Sequence, residues 1–155
     1  RKDTMENLGS VDEILDFAIN SEQEASDFYH DLASKMKNPA MKKAFETFSL
    51  EEAAHKKKLQ AIKENKALMG GEKKVLDLKL SDYLVDVEAS ENMEYADALI
   101  LAMKREKAAF KLYTDLAETT DNADLKATLL GLAQEEAKHK LRFEVEYDEN
   151  VMTEN

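Results

Sequence analysis

The chain has 155 residues, no cysteine, one proline and four glycines, with 43% apolar, 7% aromatic and 35% charged residues and a net charge of −11. That length fits one domain whose core needs no covalent staples, and the scarcity of turn formers and aromatics favours a helical protein over a β-sandwich. The acidic balance argues against nucleic acid or an anionic membrane as a partner, and the absence of Cys excludes thiolate zinc and iron–sulfur sites within these residues.

Residues 1–9 read as a tail. Ser10 with Glu13 has the form of a capping box, and an apolar stripe follows at helical spacing through Ile14, Leu15, Ala18, Ala25, Tyr29 and Leu32 to Met36. Asn38-Pro39 stops that helix, and Pro39 suits the first position of the next. A second helix is predicted from about Ala40 to Met69, with Met41, Phe45, Phe48, Leu59 and Ile62 inward, ended by Gly70-Gly71. A third runs from near Asn92 to about Glu118, Thr120-Asp121-Asn122 breaks it, and a fourth reaches about Tyr147, leaving 148–155 as a tail. The short joins at 37–39 and 119–123 make two antiparallel hairpins. The long join, about residues 70–91, carries Val75, Leu76, Leu78 and Leu80 and a turn of helix at Asp82-Tyr83-Leu84. The expected architecture over 10–147 is all-α, an antiparallel four-helix bundle of two hairpins joined by one long crossover. Exchange of a hairpin between two chains is the alternative.

Two stretches match each other without a gap at an offset of 84 residues. The first holds Ala18, Glu22, Ala25, Tyr29, Asp31-Leu32-Ala33 and then Glu51-Glu52-x2-His55; the second holds Ala102, Glu106, Ala109, Tyr113, Asp115-Leu116-Ala117 and then Glu135-Glu136-x2-His139. Lone Glu to paired Glu is 30 residues in each copy and lone Glu to His is 33. Residues three, four and seven apart share a helix face, so Glu22, Glu52, Glu106 and Glu136 sit inside apolar stripes, while Glu51 and Glu135 turn toward solvent.

Burying one ionised carboxylate without a partner costs several kcal/mol or more, and four together repel one another. Lys and Arg are sparse on the inner stripes. Two divalent cations would neutralise four carboxylates, and two imidazoles would complete the coordination. Glu22, Glu52, His55, Glu106, Glu136 and His139 are therefore the candidate metal ligands, and this oxygen-rich set without thiolate favours iron, with manganese as the alternative. A buried Glu–His pair can also be a plain structural hydrogen bond; the paired register in both copies argues against that. Tyr29 and Tyr113 are either core aromatics or hydrogen-bond partners of a ligand carboxylate. Asp31 and Asp115 are assigned to surface or inter-helix contacts, and His30 and Lys56-Lys57-Lys58 to a wet face.

These residues resemble the rubrerythrin branch of the ferritin-like superfamily. The resemblance rests on Ala18-Ile-Asn-Ser-Glu22-Gln-Glu-Ala25-Ser-Asp-Phe28-Tyr29 with Leu50-Glu-Glu52-Ala-Ala-His55, and on Ala102-Met-Lys-Arg-Glu106-Lys-Ala-Ala109-Phe-Lys-Leu-Tyr113 with Gln134-Glu-Glu136-Ala-Lys-His139. It implies two iron ions, with Glu22 and Glu106 as terminal ligands, Glu52 and Glu136 as bridges and one His nitrogen per iron. It also implies a homodimer and a non-haem di-iron oxidoreductase that reacts with hydrogen peroxide or dioxygen, as a peroxidase or ferroxidase in oxidative-stress defence. Ferritin-like iron storage is the alternative. Two features depart from the family pattern. With no Cys-bearing rubredoxin segment here, electrons are expected from a separate donor protein such as a rubredoxin. An extra Glu one turn from the third-helix ligand is replaced by Met103 and Ala109. No stretch is long and apolar enough for a membrane span and the charged N-terminus lacks signal-peptide character, so a cytoplasmic location is expected.

Overall fold

The structure, a computed structural model, describes residues 11–65, 80–85 and 93–151. The Ser10 cap, the Gly70-Gly71 stop, most of the Leu-rich piece of the long join and both chain ends lie outside them. Four long helices account for nearly all of it: α1 (Val11–Lys35), α2 (Pro39–Glu64), α3 (Tyr95–Glu118) and α4 (Ala123–Asn150), with a 3-10 helix at Leu80–Tyr83 between the pairs. Contacts divide the chain into two compact units, the hairpin α1–α2 and the 3-10 helix with hairpin α3–α4.

Hairpin α1–α2 reverses direction at Asn38. Its Oδ1 accepts from the backbone N–H groups of Ala40 at 2.8 Å and Met41 at 3.1 Å, satisfying two of the donors that every helix start leaves over. Pro39 follows in the first turn. The helices run antiparallel, as their cross-contacts show: Lys63 reaches Asp16 at 2.6 Å and Lys56 reaches Gln23 at 2.7 Å, numbers rising on one helix as they fall on the other. Ser26 and Ser49 lock the middle. Each hydroxyl donates to the other residue's carbonyl, at 2.9 and 2.8 Å. Tyr29 is fully buried, stacked on Phe45 with ring centres 6.3 Å apart and edge-on to Phe48 at 6.2 Å. Phe48, expected on the inner face, is half-buried at its margin.

Hairpin α3–α4 turns on Asn122, whose Oδ1 accepts from Leu125 N at 2.9 Å. Asn38 and Asn122 are themselves 84 residues apart, so the repeat extends to the helix boundaries. We expect Asn38→Ala and Asn122→Ala each to cost about 1 kcal/mol, the usual worth of such a cap. In a chain of this size that lowers Tm by about 2–4 °C, readable by calorimetry.

Three boundaries differ from expectation. Helix α2 stops at Glu64 instead of near Met69, because Asn65 leaves helical geometry (φ −119°, ψ 38°) and turns its N–H onto Ala61 and Ile62 carbonyls. Helix α3 begins at Tyr95 with Glu94 in extended geometry (φ −63°, ψ 150°), so Met93 and Glu94 precede it. Helix α4 continues past Tyr147 to Asn150, where Asn150 Nδ2 donates to Glu146 Oε1 at 2.9 Å across one turn. The turn of helix expected at 82–84 is the 3-10 segment 80–83. Its Tyr83 is buried, donates to Asp115 Oδ2 at 2.8 Å and lies 4.9 Å beneath the Lys111 ammonium. Asp115 is thus the contact residue expected, and burial together with this carboxylate pushes the Tyr83 hydroxyl pKa well above its usual value. Among the described helices, none is long and apolar enough to cross a membrane.

Candidate metal centre

Each hairpin carries its three candidate ligands inward at one level. In α1–α2, Glu22, Glu52 and His55 are at most 2% exposed. They are held there by an apolar frame at helical spacing: Ala18 and Ala25 flank Glu22, and Phe45 and Leu59 flank the α2 pair. One ligand atom from each of the three lies within 4.8 Å of the others. His55 Nδ1 is 3.0 Å from Glu52 Oε1 and 3.5 Å from Glu22 Oε2. Burial pulls the His55 pKa down, but hydrogen bonds to Glu22 and Glu52 and their negative charge outweigh it and raise it to about 11.

Hairpin α3–α4 repeats the arrangement. Glu106, Glu136 and His139 are at most 2% exposed, and again a ligand atom of each lies within 4.8 Å of the rest. His139 Nδ1 is 3.3 Å from Glu106 Oε2 and 3.6 Å from Glu136 Oε1. Both imidazoles therefore present Nδ1, the nitrogen nearer the backbone, to two carboxylates. The i, i+3 spacing allows this because Glu and His leave the same face of the helix one turn apart. In each hairpin the donor set is two carboxylates and one nitrogen. It is hard, nearly dry and anionic, which suits a divalent cation of the iron or manganese kind and offers nothing to a thiophilic one.

The remaining candidates fall as follows. Tyr29 and Tyr113 are at most 1% exposed, with Tyr29 part of an aromatic cluster. His30 and Glu135 are exposed and Glu51 is half-buried, so none of them joins the inward set. Met103 and Ala109, flanking Glu106, are half-buried.

One buried carboxylate escaped the sequence reading. Glu146 is 9% exposed and accepts from the Tyr95 hydroxyl at 2.7 Å as well as from Asn150. Its place seven residues after His139, on the same stripe, was the available signal. Desolvation and this carboxylate push the Tyr95 pKa far up. The repeat is broken here, since Val11 and Ile62 occupy the matching positions of the first hairpin. Glu146 is a hydrogen-bonded structural group, separate from the triads.

The comparisons with known proteins agree with this picture. A crystal structure described as a ferritin-like diiron-carboxylate protein from Thermotoga maritima superposes with a TM-score of 0.77 at 22% identity, over 94% of this chain and 99% of that one. That likeness shows the fold: all-α and ferritin-like, with four helices. No curated protein matches the sequence. The family model for rubrerythrin matches residues 13–147, a span that includes all six inward Glu and His residues. The chain belongs to the rubrerythrin family.

Proposed function

We propose that the protein is a non-haem di-iron oxidoreductase that reacts with hydrogen peroxide or dioxygen. The observation that carries this reading is the duplicated triad: two carboxylates and an imidazole Nδ1, nearly water-free, in each hairpin of a rubrerythrin-family chain. Four such carboxylates and two dications sum to no net charge, which removes the penalty that either triad would pay alone. Glu22 with His55 would hold one iron and Glu106 with His139 the other, Glu52 and Glu136 being shared. A bound iron pair supplies two electrons to a small oxidant and withdraws charge from it.

The chain's own groups do the rest. The carboxylates fix metal spacing. Burial excludes bulk water, which strengthens every charge interaction at the site. His55, protonated between Glu22 and Glu52 in the metal-free chain, gives up that proton when its Nδ1 is needed as a donor. Small side chains at Ala25 and Ala109, one turn from Glu22 and Glu106, keep space for a diatomic oxidant. With Met103 and Ala109 where a further carboxylate could stand, proton handling beside Glu106 falls to fewer groups, which favours dioxygen or Fe(II) oxidation as the competing use of the site.

The test is anaerobic loading with Fe(II), elemental analysis, then stopped-flow oxidation by peroxide and by dioxygen in parallel. Two irons per chain and faster reaction with peroxide are expected. A metal content near zero would overturn the reading. Faster reaction with dioxygen, together with a large hollow particle in solution, would replace it with iron storage.

A further inference from the structure

The two hairpins share their inner stripes, but their outer faces diverge in charge. On α3 the positions around Glu106 are Lys104, Arg105, Lys107 and Lys111; the matching positions on α1 are Asn20, Ser21, Gln23 and Asp27. Four cations stand where the first copy has none and one anion. On α4 the ligand His139 is bracketed by Lys138, Lys140 and Arg142, with Leu141 between them 60% exposed. The first copy has Ala54, Lys56 and Lys58 at the same places and Lys57 instead of the leucine. Glu106 and His139 are in contact at 3.3 Å, so these cations belt hairpin α3–α4 at the height of its triad.

In a chain of net charge −11 this belt is a local reversal of sign. Some of it is internally compensated: Lys140 pairs with Glu144 at 2.6 Å and Lys111 with Asp115 at 3.0 Å. Lys104, Lys107 and Lys138 are exposed. Lys104, Lys107 and Lys111 lie three and four residues apart, which sets them on one face of α3 turned away from Glu106. The nearest carboxylates on these helices are Glu135, one turn before His139, and Glu144 and Asp148, which with Met103, Leu141, Val145 and Tyr147 border a shallow groove of about 350 Å³. Leu141 and Val145, 60% and 41% exposed, give the surface an apolar centre beside the cations.

We propose that this basic, leucine-centred face of α3–α4 is the docking surface for a small acidic one-electron carrier protein. The inference rests on the oxidoreductase reading above and names the partner of the same site. These residues hold no cysteine to ligate a second redox centre, so electrons for turnover come from outside them. Two successive deliveries, each oxidising one carrier by one electron, balance the two-electron, two-proton reduction of hydrogen peroxide to two waters. The face is well placed for that delivery. Leu141 and His139 point to opposite sides of α4, so a carrier on the leucine is separated from the imidazole by one helix, about 10 Å across. Opposite charge on the carrier raises the encounter rate about 10- to 1,000-fold at low salt, and salt removes the gain.

The test uses the iron-loaded full chain and a rubredoxin of net negative charge, with the triple variant K104E/K107E/K138E. Fluorescence anisotropy of labelled rubredoxin reads binding without turnover, and stopped-flow reads oxidation of reduced rubredoxin. We expect the variant to lose about tenfold or more in association rate at low ionic strength. Wild type should show a steep salt dependence and the variant almost none, while reduction by a neutral hydroquinone and iron content stay unchanged. Wild-type rates in the variant, or equal binding of a basic cytochrome, would overturn the proposal. So would a change in the chain's own sedimentation, which would assign the face to a second copy. Salt-sensitive rubredoxin binding by a chain that takes up no iron would sink the oxidoreductase reading and leave the docking face standing.

Discussion

Glu52→Gln is expected to remove metal binding while leaving the metal-free protein as stable as before or more so. In the loaded wild type, metal binding adds stability by mass action, about 4 kcal/mol when free metal exceeds its Kd a thousandfold. For a chain of this size that raises Tm by about 8–16 °C. A shared carboxylate contributes to both metals, so the variant should drop from two metals per chain toward none and lose the thermal shift. His55→Ala removes a donor from one metal and should keep about half of each. The metal-free comparison has the opposite sign. Glu22 and Glu52, at most 2% exposed, face a single imidazole, leaving one uncompensated negative charge in a nearly dry place, which costs several kcal/mol. The amide keeps the shape and removes that charge. A Glu52 serving only as His55's hydrogen-bond partner predicts the reverse: loss of stability in the metal-free variant and no metal-induced shift in either protein. Elemental analysis and calorimetry on the two forms separate these outcomes.

The site was largely legible in the sequence because two periodicities coincide there. The helical period puts Glu22, Glu52, Glu106 and Glu136 among apolar neighbours, and the 84-residue offset repeats the oddity with no gap. Burial and the convergence of each triad follow from helix geometry plus short turns at Asn38 and Asn122. The missed features depend on contacts that no local window contains. Tyr83 meets Asp115 across 32 residues of sequence and Tyr95 meets Glu146 across 51. Ser26 and Ser49 read as ordinary helix-surface serines until the hairpin brings them together. The end of α2 was misplaced for a different reason. Gly70-Gly71 is a strong stop signal, but Asn65 had already left the helix, a weaker signal nearer the true end.

The thermal effect of metal should itself depend on pH, with opposite trends in the metal-free and loaded protein. In the metal-free chain the cation between Glu22 and Glu52 is the His55 imidazolium: burial disfavours it, but the two carboxylates raise its pKa from 6.5 to about 11. The folded state therefore holds this proton more tightly than the unfolded chain does. That contribution is fully present below pH 6.5 and is lost progressively as pH rises toward 11, so metal-free Tm should fall across that window. A metal ion needs the Nδ1 lone pair that the proton occupies, so binding releases the proton. Each unit of pH below the folded-state pKa then strengthens metal binding by up to about tenfold, and the metal-induced rise in Tm should grow between pH 6.5 and 8.5. Mn(II) is the convenient probe because it resists air oxidation near neutrality. Calorimetric titration in buffers of different ionisation enthalpy counts the protons released. A thermal shift of constant size with no proton release would mean that the His55 nitrogen is not a ligand. The two carboxylates would then be holding the imidazolium for its own sake.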